Sequence, residues 1–279
     1  MSELGYLDAV LLGVIQGLTE FLPVSSSGHL AVTQHWLGLD PESPPMLLFD
    51  VLVHLGTLFA VLYVFLGPIR LFLRRLALEW GRGFAARRLS TQICMLGVIA
   101  LIPTGVIGLT FQRFFEEKFA NPAWIGGCLL ATGGLLASLR FVPRGRSGWT
   151  HFRWWQAGLV GISQAAAILP GISRSGATIC VAGYCGLRRR WAAEFSFLIA
   201  VPAIAGATLL KLKDTAELPA GTLTGIPWGA LLLGSLVSLG VGILALWLLL
   251  GAVRRAKLHY FSIYCWLLGA AVLTGLVWR

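Results

Sequence analysis

Between residues 16 and 30 the chain reads QGLTEFLPVSSSGHL, which sets a carboxylate, three hydroxyls and an imidazole between long apolar runs. Gln16 and Glu20 stand four apart, so on a helix they share a face. Ser25, Ser26 and Ser27 follow Pro23, where a serine caps a new helix and the free backbone N–H groups at the helix start form an anion site. Glu20 offers a base or a metal ligand, and Ser26 and His29 offer nucleophiles. A lone serine after proline would be an N-cap and nothing more, and a lone glutamate could be a structural partner for a serine or an arginine. Their crowding inside one apolar segment is harder to explain without chemistry, because an ionisable group there is costly.

A second polar break, PGISRSGAT at residues 170–178, places Arg174 between Ser173 and Ser175, with Thr178 one turn later. Arginine presents a planar fork of donors that matches phosphate oxygens. The two breaks together suit a phosphate or diphosphate group. Ser26 is the first choice of nucleophile, activated by His29 or Glu20, with attack by His29 itself as the alternative. Arg174 would stabilise developing negative charge, or pair with Glu20 and mark the same cavity. Gln16, Ser25, Ser27, Ser173, Ser175 and Thr178 complete the set as phosphate-binding groups. Asp50 and His54, again four apart, are weaker candidates at the start of an apolar stretch, and Asp8 reads as a capping or solvated group.

The elements that must position these groups lie in a membrane. Of 279 residues, 57% are hydrophobic and 12% charged, and the mean hydropathy is +0.79. A soluble domain has about 45–50% apolar and about 25% charged residues. The net charge of +10 gathers in short segments between apolar runs, as topology determinants do, with no basic domain to carry nucleic acid. The five cysteines show no CxxC spacing and read as small buried apolar residues. The N-terminal segment lacks a basic leader, so no cleaved signal is expected. Trp149, Trp154, Trp155 and Trp278 are candidate interfacial anchors.

A crossing helix needs about 20 mostly apolar residues. Six stretches qualify, at 47–66, 93–111, 123–141, 191–210, 226–250 and 259–278. Residues 3–38 and 154–187 are apolar but broken midway by LPVSSSG and LPGISRSG, which predicts two re-entrant helical hairpins, each with a polar cavity at its turn. Arginines at 70, 74, 75, 82, 87 and 88, at 140, 144, 146 and 153, at 188–190, and at 254–255 with Lys257 mark cytoplasmic segments. The segments around Asp40 and Glu42, Glu116 and Glu117, and Asp214 and Glu217 alternate with them. The hairpins therefore enter from opposite sides and point at each other.

The expected fold is all-α and polytopic, with six transmembrane helices plus two re-entrant hairpins. It forms a single membrane domain over 1–279, built from two inverted repeats at 1–141 and 154–278. VIQGLTEFLPVSSSGHLAV and GISQAAAILPGISRSGATICV share an LP followed by Ser-x-Ser-Gly, and inverted repeats place their functional site near the midplane.

QGLTEFLPVSSSGH and PGISRSGAT closely resemble the two signature segments of the undecaprenyl-diphosphate phosphatase family of the bacitracin-resistance type, and the resemblance extends over essentially the whole chain. It implies hydrolysis of undecaprenyl diphosphate to the monophosphate and inorganic phosphate, which recycles the carrier lipid of cell-wall synthesis and gives bacitracin resistance. It also implies a divalent cation, Mg2+ or Ca2+, and a location in the bacterial inner membrane with both termini and the active site toward the periplasm. The partners it implies are a polyprenyl diphosphate substrate, membrane lipids and a second copy of the chain as a homodimer, with no nucleic acid. Relatives often carry Glu where this chain has Gln16, which leaves Glu20 as the main metal ligand. A transporter or flippase of undecaprenyl phosphate would use the same phosphate pocket, but transport needs no nucleophile. A scaffold without a ligand would leave the buried polar groups unexplained.

Overall fold

A computed structural model describes residues 4–80, 89–119, 121–142, 145, 147–216 and 226–277. Arg82, Arg87, Arg88, Arg144, Arg146, Glu217 and Trp278 lie outside the described residues. Within them the chain is helical: α1 (Tyr6–Phe21), α2 (Ser26–Trp36), α3 (Pro44–Val64), α4 (Leu66–Trp80), α5 (Leu89–Thr110), α6 (Gln112–Phe119), α7 (Pro122–Ser138), α8 (Trp154–Ala166), α9 (Arg174–Tyr184), α10 (Arg189–Ala216), α11 (Trp228–Arg254) and α12 (Phe261–Leu273).

Each of the six expected spans falls on a helix. Four segments are long and apolar enough to cross a membrane: Pro44–Val64, Leu89–Thr110, Arg189–Lys213 and Trp228–Arg254. Pro122–Ser138 and Leu258–Leu273 are apolar but shorter. The basic stretch after residue 66, expected as a loop, instead begins as the helix α4, whose Leu, Arg and Ala residues are strong helix formers. The two broken segments form the helix pairs α1–α2 and α8–α9, each parted at the Pro/Ser-containing turn.

The apolar surface identifies the solvent. On α5, Met95, Val98, Ile102, Val106 and Leu109 are all exposed in one helical stripe, and on α11 so are Leu232, Leu236, Leu244 and Leu248. Contiguous apolar faces of this size have no place in water and need lipid around them. The chain is a multi-pass membrane protein.

Packing holds the broken pairs at the centre. α1 lies along α11, which lies along α3; α8 lies along α5; α7 pairs with α12; and α3 meets α10. The largest buried cluster joins Phe21 of α1, Val61 of α3, Leu96 of α5, Val160 of α8, Phe195 of α10 and Leu246 of α11. The first helix of each broken pair is therefore clamped by a long helix from the other half, which brings the two polar turns together.

Candidate active site

Both turns are built alike. Ser25 and Ser173 are the N-caps of α2 and α9, accepting from the backbone N–H of Gly28 at 3.4 Å and of Gly176 at 3.1 Å. Each cap hydroxyl lies 3.3 Å from the hydroxyl two residues on, Ser27 in one turn and Ser175 in the other. Serine serves at both positions because it satisfies a backbone donor that has no carbonyl partner within its helix. The turns also touch directly: the Gly171 N–H donates to Ser25 Oγ at 3.1 Å. Ser25 is held at φ +71, a conformation that costs about 1–3 kcal/mol for a residue with a side chain. Its three hydroxyl contacts keep it there.

Position 26 and position 174 are the first helical residues after the two caps, and both reach Glu20. Ser26 Oγ–H donates to Glu20 Oε2 at 2.6 Å, and the Arg174 guanidinium pairs with Glu20 Oε1. Gln16 Nε2 donates to Glu20 Oε2 at 3.0 Å, along the helix face they share. The Glu20 side chain is only 4% exposed and that of Arg174 20%, so the ion pair is desolvated on its carboxylate side. Such a pair persists when further hydrogen bonds satisfy the remaining lone pairs, which Ser26 and Gln16 do.

His29 is close by but occupied. Its Nδ1–H donates to the Ser25 carbonyl at 2.7 Å, which leaves Nε2 to accept from the Tyr264 hydroxyl at 2.7 Å. The imidazole thus fixes the serine turn from behind. Thr178 is fully buried and bonded to Ser196 on α10 at 2.6 Å, so it anchors α9. Ser173, Ser175 and Ser25 likewise shape the turns.

His54 comes nearer the centre than its weak sequence signal suggests. Its Nδ1–H donates to the Asp50 carbonyl at 2.7 Å, and Nε2 lies 3.9 Å from Glu20 Oε2. Asp50 itself accepts from Gln34 at 3.1 Å and pairs with Lys211 at 3.5 Å, one turn farther out. Asp8 caps the start of α1, its Oδ2 accepting from the Gly5 N–H at 3.2 Å.

Two partners carry no motif. Tyr264, 235 residues from His29, sits in an apolar helix like any interfacial tyrosine. Thr132 donates to the Gly171 carbonyl at 2.9 Å and accepts from the Ser173 N–H at 3.1 Å, tying the second turn to α7. Neither has a local pattern that announces its partner.

Among the described residues no three His, Cys, Asp or Glu side chains cluster as a metal site. Oxygen donors are nevertheless present beside Glu20. The carbonyl Oε1 of Gln16 is buried without a hydrogen-bond partner, and an orphaned buried acceptor of this kind suits a cation or a water. A hard divalent cation takes oxygen ligands of this chemistry. All five cysteines are free thiols.

Comparison with known proteins matches nearly the whole chain to one family. A family profile described as bacitracin resistance protein BacA matches residues 9–271. The chain is 46% identical over 267 residues to an undecaprenyl-diphosphatase of Syntrophotalea carbinolica, covering 95% of this chain and 97% of that protein. It is 42% identical over 278 residues to one from Halorhodospira halophila, covering 96% of each. A third, from Alkaliphilus metalliredigens, is 42% identical over 270 residues and covers 95% of this chain and 96% of its own.

Proposed function

This chain belongs to the family of bacitracin resistance protein BacA, and from that premise and the Glu20 pocket we propose the reaction and its residues. The protein is an undecaprenyl-diphosphatase: it hydrolyses undecaprenyl diphosphate to the lipid monophosphate and inorganic phosphate. Its bacitracin-resistance role follows from removing the diphosphate lipid.

The observation that carries the site assignment is Ser26 Oγ–H donating to Glu20 Oε2 at 2.6 Å. A weakly acidic hydroxyl becomes a nucleophile when a base takes its proton. Ser26 Oγ attacks the distal phosphorus and Glu20 accepts the proton. The bond from that phosphorus to the bridging oxygen breaks, and the lipid monophosphate leaves. Glu20 gives that proton to the departing lipid monophosphate and then takes the proton of a water that attacks the phosphoserine; the Ser26 Oγ–P bond breaks, Glu20 returns the proton to Oγ, and inorganic phosphate is released. Arg174 starts on Glu20 Oε1, within reach of the phosphoryl oxygens on which charge builds. His29, with both nitrogens bonded, holds the serine turn, which favours Ser26 over His29 as the attacking group. Gln16 Oε1, Glu20 and Ser26 are the groups that would hold a divalent cation, Mg2+ or Ca2+. When bound, such an ion neutralises diphosphate charge.

The finer architecture belongs to the same reading. The two halves are inverted repeats, 1–141 and 154–278, with six spans and two re-entrant pairs. What supports this is the shared hydrogen-bond pattern of the Ser25 and Ser173 caps and the crossed clamping of α1 by α11 and α8 by α5. The alternating basic and acidic segments support an active site and termini on the periplasmic face of the inner membrane.

Phosphate release from polyprenyl diphosphate in detergent micelles tests the whole. The wild type should release phosphate and lose that activity with chelator. Glu20→Ala and Arg174→Ala should abolish it while remaining folded. Release that both variants retain in full would remove the site from this pocket.

A further inference from the structure

A cavity of about 150 Å³ lies away from Glu20, at the far end of α9. Arg140, Arg189 and His259 line it together with apolar groups, Ile179, Leu187 and Val253 among them. Arg189 is the first residue of α10, so this long helix adds the positive end of its dipole. No aspartate or glutamate lines the cavity among the described residues. Here two arginines and a histidine, from three separate segments, converge on one concavity with an apolar wall.

The rim adds an independent observation. Phe141 and Tyr260, the neighbours of Arg140 and His259, are exposed aromatic side chains. Aromatic rings concentrate at the headgroup level of a bilayer, and basic pockets between membrane helices at that level take lipid headgroups. We infer that this cavity binds the phosphate of an anionic phospholipid headgroup, with Arg140, Arg189 and His259 as its donors and the apolar wall against the glycerol and upper chain.

This site is independent of the diphosphatase reaction, so its test does not use activity. The purified protein in neutral detergent is titrated with short-chain phosphatidylglycerol, with short-chain phosphatidylcholine and with inorganic phosphate, and the unfolding midpoint is followed. Phosphatidylglycerol should raise the midpoint by about 2–4 °C, and phosphatidylcholine should not. The Arg140→Gln/Arg189→Gln double variant should lose the shift. Gly183→Leu should lose it too while keeping every charge, since a Cβ at Gly183 meets only the Leu139 side chain at 3.7 Å and a larger group would fill the cavity. An equal shift with inorganic phosphate alone, lost in the double variant, supports the anion site with soluble phosphate as its source. An equal shift with phosphatidylcholine, or an undiminished shift in the double variant, overturns the inference.

Discussion

Glu20 and Arg174 are 154 positions apart in sequence and form an ion pair between the two broken helices. The pair joins two halves of the molecule where both polar turns converge. Removing Arg174 leaves a nearly buried carboxylate without its cation. Arg174→Ala should therefore destabilise the protein by up to about 3–5 kcal/mol, the cost of breaking a buried pair from one side. The double variant Glu20→Ala/Arg174→Ala should recover much of that stability. It should not recover activity, because loss of either charge-stabilising or proton-accepting group costs about 100-fold or more. Thermal unfolding and phosphate release on the same four proteins separate the two roles.

Ser26 and His29 compete for the role of nucleophile, and their hydrogen bonds set different expectations. Ser26→Ala removes the group that Glu20 would deprotonate, so turnover should fall to background and no phosphoenzyme should form. His29→Ala should leave a slow but measurable reaction with phosphoserine at 26. Tyr264→Phe deletes one neutral hydrogen bond to His29, worth about 0.5–1.5 kcal/mol, and should lower the rate by no more than roughly tenfold. Phosphate release gives the three rates, and mass spectrometry of enzyme quenched in denaturant at neutral to mildly alkaline pH, where phosphoserine and phosphohistidine both survive, locates the phosphoryl group; phosphohistidine at 29 would defeat the serine mechanism.

The broken helices and the meeting of Glu20, Ser26 and Arg174 are legible in the sequence because LPVSSSG and LPGISRSG interrupt apolar runs that otherwise have no reason to stop. Local spacing also places Gln16 on the face of Glu20. Tyr264 and Thr132 are not legible, since their roles depend on which helices pack together. That packing is fixed by shape, not by a local pattern. α4 escapes for a different reason: its arginines read as a basic loop between membrane spans, although its Leu, Arg and Ala residues are strong helix formers. His54 carries a weak signal because a histidine near a span end looks solvated until α1 is laid against α3.

Glu79 ties α4 to the start of α5. Its Oε2 accepts from the Thr91 N–H and the Thr91 hydroxyl, both at 3.0 Å. Desolvation pushes its carboxyl up, but the hydrogen bonds from Thr91 and Ser90 outweigh this and hold it below the ordinary glutamate value of 4.5. A depressed carboxyl contributes stability above its unfolded value and loses it as the pH falls through the folded one. The unfolding midpoint of the wild type should exceed that of Glu79→Ala at neutral pH. That difference should shrink as the solution is taken below about pH 4.5. A gap that stays constant with pH would show that the ionised carboxylate is not what holds the two helices.

Gly13 and Gly161 mark where the crossed helices come closest. A Cβ on Gly13 would lie 2.5 Å from the Gly234 carbonyl oxygen on α11, and one on Gly161 would lie 2.2 Å from that of Ala100 on α5. Both obstacles are backbone, so neither can swing aside, and small residues are what let membrane helices approach this closely. Gly13→Ala and Gly161→Ala should each destabilise by about 1–3 kcal/mol, the usual cost of overpacking. Because α1 carries Glu20 and α8 leads into the Arg174 turn, each should also lower turnover by separating the two. Gly158, on the same helix as Gly161, faces open space, and a Cβ there would meet nothing within 4 Å. Gly158→Ala should leave activity intact and raise stability by about 0.5–1 kcal/mol through helix propensity alone. Unfolding midpoints and phosphate release on the three variants check this, and equal effects at 158 and 161 would mean that helix propensity, not close approach, governs these positions.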